Sequence, residues 1–289
     1  MRLVVVAALV ACGGRPATVC APTVAPHEVT GADPLLVYLP DGAQVVIELD
    51  LARLRANPVV GAVIAKALAQ QVAVPGVPSA PLAQAEQVVL AAYGVGTAQA
   101  ATLTLIAAKS PIADLAVVAP DVYAIGPPDW IASAQQRAGI AATAPIAAAK
   151  ELYALRDHAM PKGAPGAALR ITARLPFDAR VALARQTGLS TAPAQLSIWA
   201  DVADDLAIVV DADGADGRDK DAGKRVTAGL RSALALLAAD PGIRALGFPA
   251  SLEGARFIAQ GTWVRAIIAV GPAHLHRIVE RATALLGAT

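Results

Sequence analysis

Aromatic residues are scarce in this chain of 289 residues: three tryptophans, four tyrosines and three phenylalanines. That leaves too few rings for an obvious stacking platform for sugars or nucleobases. Charged residues are few as well, at 16%, and they nearly cancel to a formal net charge of +1. No dense Lys/Arg cluster is present, so the electrostatic attraction that dominates nucleic-acid binding is missing. The two cysteines, Cys12 and Cys20, cannot provide a disulfide framework. Past Cys12, no stretch of eighteen residues is free of charge, proline and glycine, which argues against a polytopic helical membrane protein. What remains is aliphatic. Hydrophobic residues make up 56% of the chain, mean hydropathy is +0.53, and the core must be built from Ala, Val, Leu and Ile.

The first eleven residues have the layout of a secretory signal: Arg2, an apolar run from Leu3 to Val10, then small Ala11. A run this short cannot cross a bilayer, which needs roughly 20 apolar residues. Residues Leu9-Val10-Ala11-Cys12 resemble the lipobox of bacterial lipoproteins. The resemblance implies cleavage before Cys12 and acylation of that cysteine, palmitate among the chains, with the membrane as partner. Two or more acyl chains give stable anchoring where one is marginal. Gly13, where inner-membrane retention uses aspartate, implies the outer membrane, facing the periplasm. With Cys12 acylated, Cys20 has no partner in the chain and reads as a plain thiol.

Residues 12–34 read as a flexible lipid-anchored tether, punctuated by Pro16, Pro22, Pro26, Gly31 and Pro34. The body reads as two modules, 35–160 and 165–289, of α+β class. Each is expected to be a largely antiparallel sheet with helices packed on one face, the product of an internal duplication. In the first module, strand 44–49 leads to a helical pattern over 50–70 that Pro58 should break. Strand pairs 87–93 with 102–107 and 115–119 with 122–125 follow, then a helix over 128–137. The second module repeats the order: strand 168–175, helix 176–187, strands 195–201 and 206–211, helix 220–239, hairpin 255–260 with 263–270, helix 272–286. A linking helix is expected over 147–159. The opening Leu39-Pro40, Val45–Ile47, Asp50-Leu51 and Leu54 resembles duplicated extracytoplasmic proteins with a "Leu-Pro, apolar strand, Asp-Leu-x-x-Leu" signature, a resemblance that implies no activity.

The sharpest chemical candidate is the acidic loop Asp211–Asp221. Asp211, Asp213, Asp216 and Asp219, with glycines between them, are spaced to wrap a hard cation such as Ca²⁺. An EF-hand is excluded, because loop positions 5, 6 and 12 hold Ala215, Asp216 and Ala222. A solvated loop ending at a helix N-terminus, where Asp219 and Asp221 favour the dipole, is the simpler reading. Asp201 with Asp204 and Asp205 could form paired carboxylates, but a hairpin turn explains them as well. His274 and His276 are two residues apart on a helix and so point to different sides. Gly94-Val95-Gly96 lacks the third glycine of a dinucleotide loop. No Ser or Cys nucleophile motif is present, and no cofactor is implied. Trp130, Trp199 and Trp263 fall at comparable places in the two modules, with packing as their default role.

The expectation is an envelope lipoprotein with a non-enzymatic binding or accessory role and an envelope-protein partner. The alternative is an extracytoplasmic hydrolase or metal-dependent enzyme using the Asp211–Asp221 loop.

Overall fold

The computed structural model describes residues 33–70, 79–140, 149–164, 166–187, 192–214 and 221–287. Cys12, Cys20, His27, Asp216 and Asp219 lie outside them. In chain order the first half comprises α1 (Asp33–Leu36), β1 (Val45–Asp50), α2 (Leu51–Ala56), α3 (Gly61–Ala69), α4 (Ser79–Gln84), β2 (Gln87–Tyr93), β3 (Ala101–Ala107), β4 (Ala116–Ala119), β5 (Val122–Ile125) and α5 (Pro128–Ile140). After α6 (Ala149–Arg156), the second half comprises β6 (Leu169–Arg174), α7 (Phe177–Thr187), β7 (Gln195–Val202), β8 (Leu206–Asp213), α8 (Ala222–Ala239), α9 (Pro241–Leu246), α10 (Pro249–Glu253), β9 (Arg256–Gln260), β10 (Trp263–Val270) and α11 (Pro272–Leu285).

All of these strands join one ten-stranded antiparallel sheet in the order β4-β5-β3-β2-β1-β6-β7-β8-β10-β9. Read outward from the centre, each half has the same order, first-second-third-fifth-fourth. The join is the pairing of β1 with β6, from Val45 opposite Ala173 to Leu49 opposite Leu169. The α+β class and the antiparallel pairing are as the alternating strands predict.

Local stops follow from the sequence. Asp50 caps α2 by accepting from Arg53 N at 2.8 Å, and the expected helix over 50–70 breaks at Asn57-Pro58. There Asn57 Oδ1 accepts from Val59 N and Val60 N at 2.8 and 3.0 Å, restarting the chain into α3. Asp240 accepts from Gly242 N and Ile243 N, with Pro241 in the first turn of α9. Gly247, at φ 78°, ends α9 in the left-handed conformation that a side chain would resist.

The strands have two faces, and helices cover both of them. This corrects the expectation of helices on one face. On the front, Leu54, Val88, Ile106, Ile208, Phe248, Ile268, Leu275 and Ile278 belong to one apolar cluster that runs across both halves. On the back of the first half, Leu35, Val46, Val89, Leu105, Ala124 and Ala134 form a second cluster beneath α1 and α5. The alternation Val88/Val89 and Leu105/Ile106 assigns the faces. The halves therefore diverge at their last helix: α5 packs on the back and α11 on the front. They diverge again between their third and fourth strands, where a short loop in the first half is matched by α8, α9 and α10 in the second.

Phe248 is fully buried in the front core. Phe248→Ala should lower the unfolding free energy by about 3–5 kcal/mol, read by urea denaturation. Phe177→Ala, on an exposed side chain, should leave it nearly unchanged.

Candidate functional site

The most concentrated chemistry in the body lies on the back of the sheet, around its central and second-half strands. Strand registers align Val46, Thr172, Ser197, Asp211 and Arg265 in one row, and Glu48, Arg170, Trp199, Val209 and Ile267 in the next. Glu48, Arg170, Thr172, Ser197 and Asp211 are each at most 3% exposed. Carboxylates and guanidinium groups are rarely buried unless paired, and here the end of α6 and the segment after it supply partners.

Arg156, the last residue of α6, donates through Nε and Nη2 to the two carboxylate oxygens of Glu48 at 2.6 and 2.7 Å. Asp157 accepts from Arg170 Nη1 at 2.6 Å and lies 3.5 Å from Arg156 Nη1. Arg170 Nη2 donates to the Met160 sulfur. Burial is the main influence on the Arg170 guanidinium, lowering its pKa; neighbouring Arg156 lowers it further, while Glu48 and Asp157 oppose both. Ser197 Oγ donates to Arg156 O and accepts from Ala159 N, both at 3.2 Å. The four charges of Glu48, Arg156, Asp157 and Arg170 sum to zero, as a low-dielectric site requires.

A second group continues toward the sheet edge. Arg265 donates to both oxygens of Asp211 at 2.8 and 2.6 Å, and to His158 O at 2.8 Å. The Asp211 hydrogen bond raises the pKa of Arg265. His158 Nδ1 donates to Asp211 Oδ2 at 2.7 Å, and its ring stacks on Trp263 at a centroid distance of 3.9 Å. Trp199 Nε1 donates to Gly166 O at 2.8 Å. Residues 156–164 and Gly166 are thus clasped to five strands, from β1 to β10, chiefly by polar contacts. Each of the carboxylates Glu48 and Asp211 has both oxygens engaged by an arginine, while Arg170 Nε and Thr172 Oγ1 are buried with no hydrogen-bond partner among the described residues.

The residues singled out from sequence fall as follows. Asp211 belongs to this clasp. Asp213, 8% exposed, ends β8, and Asp221 precedes α8 with Lys224 Nζ 2.9 Å away. Asp201 accepts from Arg53 Nε and Nη2 at 2.6 and 2.5 Å, tying β7 to α2. Asp204 and Asp205 form the β7–β8 turn, as expected. His274 donates through Nε2 to Gly247 O at 2.9 Å, and its Nδ1 lies 3.3 Å from Ser251 Oγ. It brackets α11 to α9 and α10, while His276 is exposed. Trp130 stacks on Tyr93 at 3.9 Å, whose hydroxyl donates to Pro40 O. Burial pushes the Tyr93 phenol well above its usual range, with Arg137 pulling down and Asp41 pushing up. Among the described residues, no group of three His, Cys, Asp or Glu side chains is arranged to hold a metal ion.

Sequence reasoning missed Glu48, Arg156, Asp157, His158, Arg170 and Arg265 as a unit. The available signal was a charge inside each of three strongly apolar strands, in VVIELD, LRITAR and WVRAIIAV. Alternation alone assigns such positions to solvent.

No family model matches this chain, and no curated protein matches it. Among solved structures, crystal forms I and III of TP0453 are similar in chain path. They are 7% and 9% identical, each over 86% of this chain and over 96% and 97% of theirs, and both have a TM-score of 0.42. So slight a likeness carries no functional weight. No helix among the described residues is long and apolar enough to cross a membrane.

Glu48→Gln leaves the Arg156 guanidinium buried against a neutral amide and should cost about 3–5 kcal/mol. The double change Glu48→Leu, Arg156→Met should recover most of that loss in the same urea titration. His158→Gln, at the half-exposed end, should cost under about 1 kcal/mol. Because Arg265 and His158 engage Asp211, adding Ca²⁺, Mg²⁺ or Zn²⁺ should leave the melting temperature unchanged. A rise with Ca²⁺ that Asp213→Ala abolishes would establish the acidic loop as a metal site.

Proposed function

We propose that this chain is an envelope lipoprotein, anchored through acylated Cys12 to the periplasmic side of the outer membrane, whose α+β body binds or helps assemble another envelope component. The observation that carries the reading is the Leu9-Val10-Ala11-Cys12 motif behind its short apolar run. The expected tether ahead of α1, which begins at Asp33, would then separate the lipid from the folded body, a flexible coil of about 20 residues reaching ~25 Å. The body supports a binding role more readily than catalysis. Asp201, a candidate for a carboxylate pair, and Asp211, a candidate cation ligand, are held by Arg53 and Arg265 in bidentate pairs. Both oxygens of each carboxylate are thereby engaged, and the arginine fork fixes its orientation. The common strand order of the two halves is consistent with a duplicated binding module.

Cys12→Ser should move the protein from the membrane pellet to the soluble fraction and abolish palmitate labelling. Its circular dichroism spectrum and melting temperature should match those of the body in the acylated protein. A Cys12→Ser variant that stays in the pellet through a carbonate wash would overturn the anchor. In-cell cross-linking of the acylated chain, followed by mass spectrometry, should recover a specific envelope protein; recovery of none would count against the binding role.

A further inference from the structure

The two edges of the sheet are built differently. At one edge, β4 is four residues long and carries a register irregularity between Val117 and Ala119. Asp114 and Asp121 flank it in the left-handed backbone region, α5 packs over it, and Gln135 Nε2 donates to Val117 O at 2.8 Å. Shortness, a bulge, acidic flanks and a side-chain cap are the usual devices that stop an edge from pairing. At the other edge, β9 (RFIAQ) pairs with β10 in unbroken register from Arg256 opposite Ile267 to Gln260 opposite Trp263. It has no bulge and no proline, and among the described residues no side chain caps its outer edge. Four of its five residues are exposed, Ile258 at 41%.

We propose that β9 is an interface: it pairs antiparallel with β9 of a second copy of this chain, across a two-fold axis at Ile258. The register follows from the hairpin. A two-residue turn, Gly261-Thr262 with Gly261 at φ 63°, makes Gln260 and Trp263 a hydrogen-bonded pair. Arg256, Ile258 and Gln260 then spend their backbone groups on β10. Phe257 and Ala259 point theirs outward, available to a partner strand. Pairing outward groups with outward groups allows the axis at Phe257, Ile258 or Ala259; the axis at Ile258 pairs all five residues of β9, setting Phe257 opposite Ala259 of the second copy and Ile258 opposite Ile258. Side chains agree with that register. A large ring faces a methyl group on the front, where Arg231 lies 5.0 Å over the Phe257 ring. On the back, Arg256 faces Gln260, so the strand's one charge meets a neutral amide instead of its own copy. An in-register parallel pairing would instead set the two Arg256 side chains against each other. A two-fold axis of this kind closes the assembly at a dimer.

Opposed residues in a non-hydrogen-bonded pair have Cα atoms about 4.5 Å apart, within disulfide range. The test uses the full acylated chain carrying Cys20→Ser, in isolated membranes treated with diamide as oxidant. Ile258→Cys should give a disulfide-linked species of twice the monomer mass on a non-reducing gel. Gln260→Cys, far from its own copy in this register, should give little. Adding Ala259→Pro removes one outward N–H while sparing the β9–β10 ladder; it should abolish the Ile258→Cys dimer without lowering the melting temperature. Equal yields from Ile258→Cys and Gln260→Cys, or an Ile258→Cys dimer that persists in a folded Ala259→Pro variant, would overturn the proposal. So would a disulfide between the Ile258→Cys variant and a different protein, which would make β9 a site for a foreign strand.

Discussion

Everything in this body is organised around the pairing of β1 with β6. It is the only place in the sheet where strands of the two halves lie side by side, and it turns two five-strand sets into one sheet with a shared front core. The pairing is reinforced from behind. Glu48 on β1 is held by Arg156, and Arg170 on β6 is held by Asp157, so adjacent residues at the end of α6 grip both central strands. Burying such groups is costly unless every charge is compensated. The compensation here is close to complete, and it fixes where α6 must sit.

Both faces of the sheet then become intelligible. The front is a conventional aliphatic core, poor in rings because the chain has few, with Phe248 buried within it. The back is divided. Over the first half it is apolar beneath α1 and α5; over the second half it is polar beneath residues 156–164, with Trp199 and Trp263 at its borders. Two halves with the same strand order thus carry different chemistry on the same side. This divergence places the last helices, α5 and α11, on opposite faces.

The strands were largely legible in the sequence because their neighbours are close in the chain and their alternation is strong. Gln87–Tyr93 with Ala101–Ala107, and Leu206–Asp213 beside Gln195–Val202, are hairpins or short connections set by local turn chemistry. The break at Pro58 was legible for the same reason. The face taken by each helix was not, since a helix with an apolar stripe fits either side of a sheet that is apolar on both. Helices α9 and α10 are too short for a period to register. The clasp was invisible for a physical reason: Glu48 and Arg156 are 108 residues apart, and each alone looks like a solvent-facing charge. Asp211 was noticed, but as part of the loop that follows it; its partners on β10 and after α6 appear only once the strands are stacked.

The position of β1 has a mechanical consequence. A chain held by its N-terminus transmits load into the first strand, and in this sheet the first strand lies at the centre, bonded to β2 on one side and β6 on the other. Force along it must shear two hydrogen-bonded ladders together, with the Glu48–Arg156 pair as a third attachment. An edge strand under the same load would unzip one bond at a time. Under the proposed N-terminal anchor, the strand nearest the point of load is thus one bonded along both edges.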